Sequence, residues 1–199
     1  MNLWMRLRAG VLLAFVVAAS GCASIYVDGT TKEVPAAQFK KPATARPVQV
    51  LFEFQTKGVA NARATDLLKA RVVEQVKASG LFSTVAETPV DGGALLSITL
   101  NNVPLTDDAF TKGFITGFTF GLAGSQVSDG YVCTARYLGG PGAAPVTKQA
   151  RHAIHASLGV SGAPANAVKA DNATAAAQTM TQQVISNVLN DLSQDAQFK

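Results

Sequence analysis

Charge is scarce in this sequence of 199 residues, with Asp, Glu, Lys and Arg together making up 15%. A chain so poor in charge and 48% hydrophobic is not a disordered polyelectrolyte, and it carries enough apolar material for one ordinary core. Much of that share is alanine, so it overstates the bulky residues. The net charge is +4, and leaving out Arg6 and Arg8 near the start lowers it to about +2. That is not the field a nucleic-acid binder presents, and no nucleic-acid partner is expected. Cysteine is reduced to Cys22 and Cys133 and histidine to His152 and His155, too few for a Cys/His metal framework. G-x-S-x-G, Walker and H-E-x-x-H patterns are all missing. Gly139-Gly140-Pro141-Gly142 is a turn signal rather than a phosphate loop, because no helical pattern follows it. Asp107-Asp108 follows Pro104 in a polar turn and is not spaced as a catalytic carboxylate pair. These absences lead to the expectation of a protein that is not an enzyme and holds no metal or cofactor.

What the sequence does have begins at its start. Residues 1–22 read MNLWMRLRAGVLLAFVVAASGC. Arg6 and Arg8 form a positive region, and Val11 to Ala19 an apolar stretch of about nine residues. That is half of the roughly 20 residues a helix needs to cross a bilayer, and it suits the apolar core of a signal peptide. Small residues follow, and Ala19-Ser20-Gly21-Cys22 resembles the lipobox of bacterial lipoproteins. The resemblance implies diacylglycerol on the Cys22 thiol, cleavage just before that residue, and acylation of the new amine. Several acyl chains, at roughly 0.8 kcal/mol per buried methylene, hold a protein on a membrane. Ala23 and Ser24 stand after the cysteine where an aspartate, by resemblance to enterobacterial sorting, would favour the inner membrane. The expected location is the outer membrane of a Gram-negative cell, facing the periplasm. A lipidated Cys22 leaves Cys133 without an intramolecular partner. Cys133 then reads as a small apolar strand residue, with a reactive or intermolecular thiol as the alternative.

Residues 22–46 contain Asp28-Gly29, Pro35, Lys40-Lys41 and Pro42 and show no sustained periodicity. They read as a lipidated tether with a short ordered piece near Ile25 to Val27, followed by one domain over 47–199. In that domain Val48, Val50, Phe52 and Phe54 alternate with Gln49, Leu51, Glu53 and Gln55, the period of a half-buried strand. Asn61 is placed to cap a helix to about Ser79 with a stripe of Ala64, Leu67, Leu68, Val72 and Val76, closed by Gly80. Further strands are expected over Ala94–Val103, about Gly130–Leu138 and about Val146–Leu158, the last two as an antiparallel hairpin. A closing helix runs from about Asn172 to Asp195, with Ala176, Met180, Val184, Val188 and Leu192 in a stripe. The expected fold is α+β: a four-stranded mixed sheet with two helices on one face, in the order β-α-β-β-β-α. On a strand, His152 and His155 point to opposite faces and read as structural residues.

One segment fits none of these elements. Residues 109–125 read AFTKGFITGFTFGLAGS and hold four of the ten phenylalanines of the chain. Phe110, Phe114, Ile115, Phe118, Phe120 and Leu122 are set among glycines, and Gly113, Gly117 and Gly121 recur every fourth residue as in small-residue helix packing. At about twelve residues, the uncharged stretch from Gly113 to Gly124 is too short to span a bilayer as a helix. Three readings stay open: a connection folded over the core, a segment dipping into a lipid surface, and a docking patch for a protein.

The leader, the element order and the two flanking helices together resemble small outer-membrane lipoproteins, above all the lipopolysaccharide-assembly lipoprotein LptE, and periplasmic modules such as the amino-terminal domain of TolB. The resemblance covers about residues 48–195 and transfers no binding residue. It implies a lipid-anchored, non-enzymatic adaptor or assembly factor for an envelope protein complex. The alternative is a binder of a lipid or glycan amphiphile.

Overall fold

The computed structural model describes residues 24–104, 126–157, 163 and 166–198. The strands are β1 (Ser24–Val27), β2 (Pro47–Thr56), β3 (Val59–Ala60), β4 (Thr84–Ala86), β5 (Ala94–Pro104), β6 (Gln126–Leu138), β7 (Val146–Ser157) and β8 (Val168–Ala170). The helices are α1 (Ala62–Ala78) and α2 (Ala173–Ser193). The fold is α+β, and the expectation of four strands is corrected to one sheet of eight in the order β3-β2-β5-β6-β7-β1-β8, with β4 also paired to β2. All six expected elements are present in their expected sequence as β2, α1, β5, β6, β7 and α2. Four short strands are added at the margins. They are two to four residues long, too short to show a period; β3 and β4 pair with β2, β1 with the edge of β7, and β8 with β1.

The sheet is mixed. β2 runs parallel to β5, with Val48 opposite Ala94 and Phe54 opposite Leu100, and β5-β6 and β6-β7 are antiparallel. Alternation along β2 sends Val48, Val50, Phe52 and Phe54 to one face, where they meet Leu96, Ile98, Leu100, Cys133 and Tyr137 from the neighbouring strands. Leu68, Val72 and Val76 of α1 and Met180, Val184, Val188 and Leu192 of α2 complete this single core, so both helices cover the same face. Burying each large side chain contributes roughly 1.5–3 kcal/mol. The opposite face of β2 and β5 shows Gln49, Leu51, Glu53, Ser97 and Thr99, and Leu51 is 45% exposed there.

Local chemistry sets the boundaries. Asn61 and Asn172 each accept a side-chain hydrogen bond from the backbone three residues on, at 3.1 and 2.9 Å, capping both helices. Lys57 and Gly58 both have positive φ, 54° and 79°, which is the twist a two-residue hairpin between β2 and β3 requires. Gly80, at φ 64°, closes α1.

Residues 24–46 are the second correction. β1 is inserted between β7 and β8, so the short ordered piece near Ile25–Val27 is part of the sheet. Beyond it the chain lies along α2. The Val34 N–H donates to Ser186 Oγ at 2.9 Å and the Lys40 N–H to Ser193 Oγ at 3.1 Å, and Phe39 is buried in the core. A stretch without periodicity is thus no slack tether, because its order comes from contacts made one residue at a time rather than from a repeating face.

Candidate functional site

The predicted site residues Cys22, Phe110, Phe114, Ile115, Phe118, Phe120 and Leu122 lie outside the described residues, as does Asp107-Asp108. What the structure fixes is where the chain segments carrying them meet the sheet. Ser24, the first residue of β1, is paired with Ser157 at the end of β7, which is paired in turn with Gln126 at the start of β6. Pro104, the last residue of β5, is paired with Asp129 three positions along β6. Cys22 is two residues before Ser24, so their Cα atoms are at most about 7 Å apart. The cysteine and both ends of the segment 105–125 therefore attach to one end of the sheet. For brevity this is the proximal end, and the end at Pro47, Leu138 and Val146 is the distal one.

β1 is fastened where it leaves the sheet, beside Ala153 of β7, by a buried polar joint. The Asp28 N–H continues the ladder by donating to the Ala153 carbonyl at 3.1 Å. The Asp28 carboxylate accepts from the Thr30 N–H at 2.8 Å and from the Thr30 hydroxyl, a turn that the Asp-Gly-Thr sequence favours. Its other oxygen lies 3.3 Å from Nε2 of His155, which is 2% exposed. Burial would raise the Asp28 pKa, but the hydrogen bonds from His155 and Thr30 outweigh it and hold the carboxyl below the usual range. An ionised Asp28 only accepts, so His155 Nε2 is the donor. Next to the joint, a Cβ on Gly29 would lie 1.8 Å from the Asn166 carbonyl oxygen, so only glycine permits the close pass of the two segments.

His152 occupies the other face of β7, as the strand period requires. Its Nδ1 accepts from the Ala153 N–H at 2.8 Å, and Nε2 lies 2.7 Å from Gln183 Oε1 on α2. Those partners call for the neutral tautomer with the proton on Nε2. Burial lowers the His152 pKa in the same sense, against the opposing hydrogen bonds. The two histidines are therefore structural links, one to Asp28 on β1's exit and one to α2, and they do not share a site. Cys133 is fully buried in the sheet, and burial pushes its thiol pKa up. Among the described residues no three metal-ligating side chains converge.

Between β1, β8 and the first turns of α2 lies an open groove of about 720 Å³. Val27, Val168 and Ala175 supply apolar wall, and Lys32, Lys169 and Asp171 supply charge, with Asp28 at the edge. Sequence reading missed this groove. Its one local signal, Asp28-Gly29-Thr30, reads only as a turn, and its other wall comes from residues more than a hundred positions away. None of the described helices is long and apolar enough to cross a membrane. No protein-family model matches this chain, and no curated protein matches it.

Proposed function

We propose that this chain is a lipid-anchored cell-envelope protein that acts as a non-enzymatic adaptor or assembly factor for an envelope protein complex. Cys22 carries the lipid, residues 1–21 are the leader, and the membrane is the outer one with the domain in the periplasm. The segment bearing Phe110, Phe114, Ile115, Phe118, Phe120 and Leu122 makes the membrane or partner contact. The observation that carries this reading is the common attachment of Cys22 and of both ends of 105–125 at the proximal end of the sheet. An acyl chain on Cys22 would keep that end within about 7 Å of the lipid, so an apolar segment attached there has lipid or a membrane-bound partner within reach. The β-α-β-β-β-α spine inside the larger sheet supports the resemblance to small envelope lipoproteins.

Labelling cells with palmitate and fractionating their membranes tests the anchor. Wild-type protein is expected to incorporate label and to sediment with outer membranes. Cys22→Ser is expected to accumulate as an unlabelled precursor, and normal processing of that variant would refute the anchor. Crosslinking in intact membranes tests the adaptor role: a defined partner is expected, with its yield reduced by Phe114→Asp and Phe118→Asp.

The groove beside β1 favours a second reading, a binder of an envelope amphiphile. It mixes apolar wall with Lys32 and Lys169, and one side of it is β1, the strand that follows the anchor. Native mass spectrometry with envelope lipid extract separates the two, because a bound mass lost on Val168→Asp supports the amphiphile.

A further inference from the structure

Residues 40–46, which their sequence describes as slack, are held from several directions at the distal end. The Lys40 N–H is bound to Ser193 on α2. The Lys41 ammonium stands 5.5 Å over the Phe39 ring, donates to the Ala36 carbonyl at 3.2 Å, and also donates to the Ser79 carbonyl at the end of α1. The Arg46 guanidinium donates to the Gly139 carbonyl at 2.9 Å, and the Arg46 carbonyl accepts from the Ser83 N–H at 3.0 Å. Between this loop and the stretch after α2 runs an open groove of about 550 Å³, walled by Lys40, Lys41 and Arg46 on one side and by Ser193, Asp195 and Phe198 on the other. Phe198 is buried against Tyr137 and Phe82, at centroid distances of 4.8 and 5.8 Å, which makes that wall firm.

The charge in this groove is one-sided. Three cations line it against one carboxylate, and that carboxylate is already held by Lys148 at 2.7 Å. Lys41 turns its charge toward the carbonyls that end α1, where a helix is partially negative. Lys40 and Arg46 are exposed and have no acidic partner among the described residues. The loop is thus a fixed basic rim over a cleft open to solvent.

We infer that this groove is a docking site for an acidic peptide segment of a protein partner. The sign of the charge selects carboxylates, and the guanidinium of Arg46 suits their planar geometry. Position selects the source. β7 is 12 residues long and separates the two ends of the sheet by about 40 Å at roughly 3.3 Å per residue. Resting on the proposed anchor at Cys22, that distance is several times the Debye length of about 8 Å, which puts the rim beyond the field of the anchoring membrane.

The test uses the full chain in zwitterionic detergent micelles and a short, fluorescently labelled oligoglutamate peptide, followed by anisotropy at low and at roughly physiological salt. The wild-type protein is expected to bind the peptide, more weakly as salt rises, and not to bind oligolysine. Lys40→Glu with Arg46→Glu is expected to weaken binding by about tenfold or more, while Lys40→Arg retains it. To separate lost binding from a disturbed loop, Lys40→Gln, expected to lose a smaller part of the affinity, serves as the second variant. Absence of salt-dependent binding, or equal binding by all variants, overturns the proposal. So does capture of phosphatidylglycerol vesicles by Lys40 and Arg46 with no binding of the peptide, which would assign the rim to headgroups. None of these results alters palmitate labelling at Cys22, so failure here and failure of the anchor are distinguishable.

Discussion

Replacing Phe39 by alanine separates a docked amino-terminal segment from a tether more cleanly than any other single change. On a tether the substitution removes nothing, because a solvated side chain has no core contacts to lose. In the structure Phe39 is 6% exposed, belongs to the main core and carries Lys41 above its ring at 5.5 Å. Truncating a buried phenylalanine costs about 3–5 kcal/mol, the transfer of the ring plus the cavity left behind. Phe39 sits at the margin of the core, where the loop can settle, so the lower end, about 3 kcal/mol, applies. For a domain of this size each kcal/mol lowers the melting temperature by about 2–4 °C, giving a fall of roughly 6–12 °C. The assay is urea and thermal unfolding of the chain without its leader and with Cys22→Ser, with Gln38→Ala as an exposed control expected within about 0.5 kcal/mol of wild type. Limited trypsin digestion adds a local readout. The Lys40–Lys41 bond, the one tryptic site there because Pro42 follows Lys41, is expected to resist cleavage in the wild type and to become the first site cut in Phe39→Ala. A change below about 0.5 kcal/mol, together with rapid wild-type cleavage after Lys40, would refute the docked segment.

Three other outcomes follow from buried groups. Asp28 and His152 both have pKa values lowered by folding, so each favours the native state above its unfolded pKa and opposes it as the pH falls. Stability is expected to drop first as the pH falls below about 6.5, through His152, and again below about 4, through Asp28. Urea midpoints across that range check this, and His152→Asn should flatten the first step alone. The buried Cys133 thiol should react with a thiol reagent only on unfolding; in a Cys22→Ser background, fast labelling of native protein would contradict its burial. The Thr181 hydroxyl on α2 is buried with no hydrogen-bond partner among the described residues, so Thr181→Val should be neutral or stabilising by up to about 1 kcal/mol in urea unfolding.

The long elements were legible because each repeats one chemical decision. Val48 to Phe54 alternates often enough to give a strand, its face and its partner layer. Leu68, Val72 and Val76 do the same for α1, and Asn61 and Gly80 mark its ends within a residue. Of the four marginal strands only β1 left a trace, as the short ordered piece near Ile25 to Val27; the others, two or three residues long, contain no period, and their pairing is decided by edges that exist only after the main sheet has formed. The same holds for strand neighbours: β2 and β5 turned out to be adjacent and parallel, which no property of either segment specifies. The joint between Asp28 and His155 joins residues 127 positions apart, and only the turn at Asp28 left a local trace.

Docking of the amino-terminal segment changes what an anchor at Cys22 would do. A slack tether of 25 residues would let the domain sample every orientation over the membrane at distances of tens of ångströms. With β1 paired from Ser24 onward and locked at Asp28, only Ala23 would separate an anchored Cys22 from the sheet. The lipid would then be attached almost directly to one end of an eight-stranded sheet, and orientation would become a property of the fold. Contacts made at the proximal end, including those of the aromatic and glycine-rich segment, would be made at the lipid surface. Contacts made at the basic rim by Lys40 and Arg46 would be made about 40 Å away along β7. An adaptor needs such a division, since it must hold the membrane and a partner at once without one contact blocking the other. The same division would make an adaptor function sensitive to the joint itself. Loosening β1 would return the domain to a flexible leash and lower the effective concentration of the rim at any fixed partner, even with lipidation and both surfaces intact.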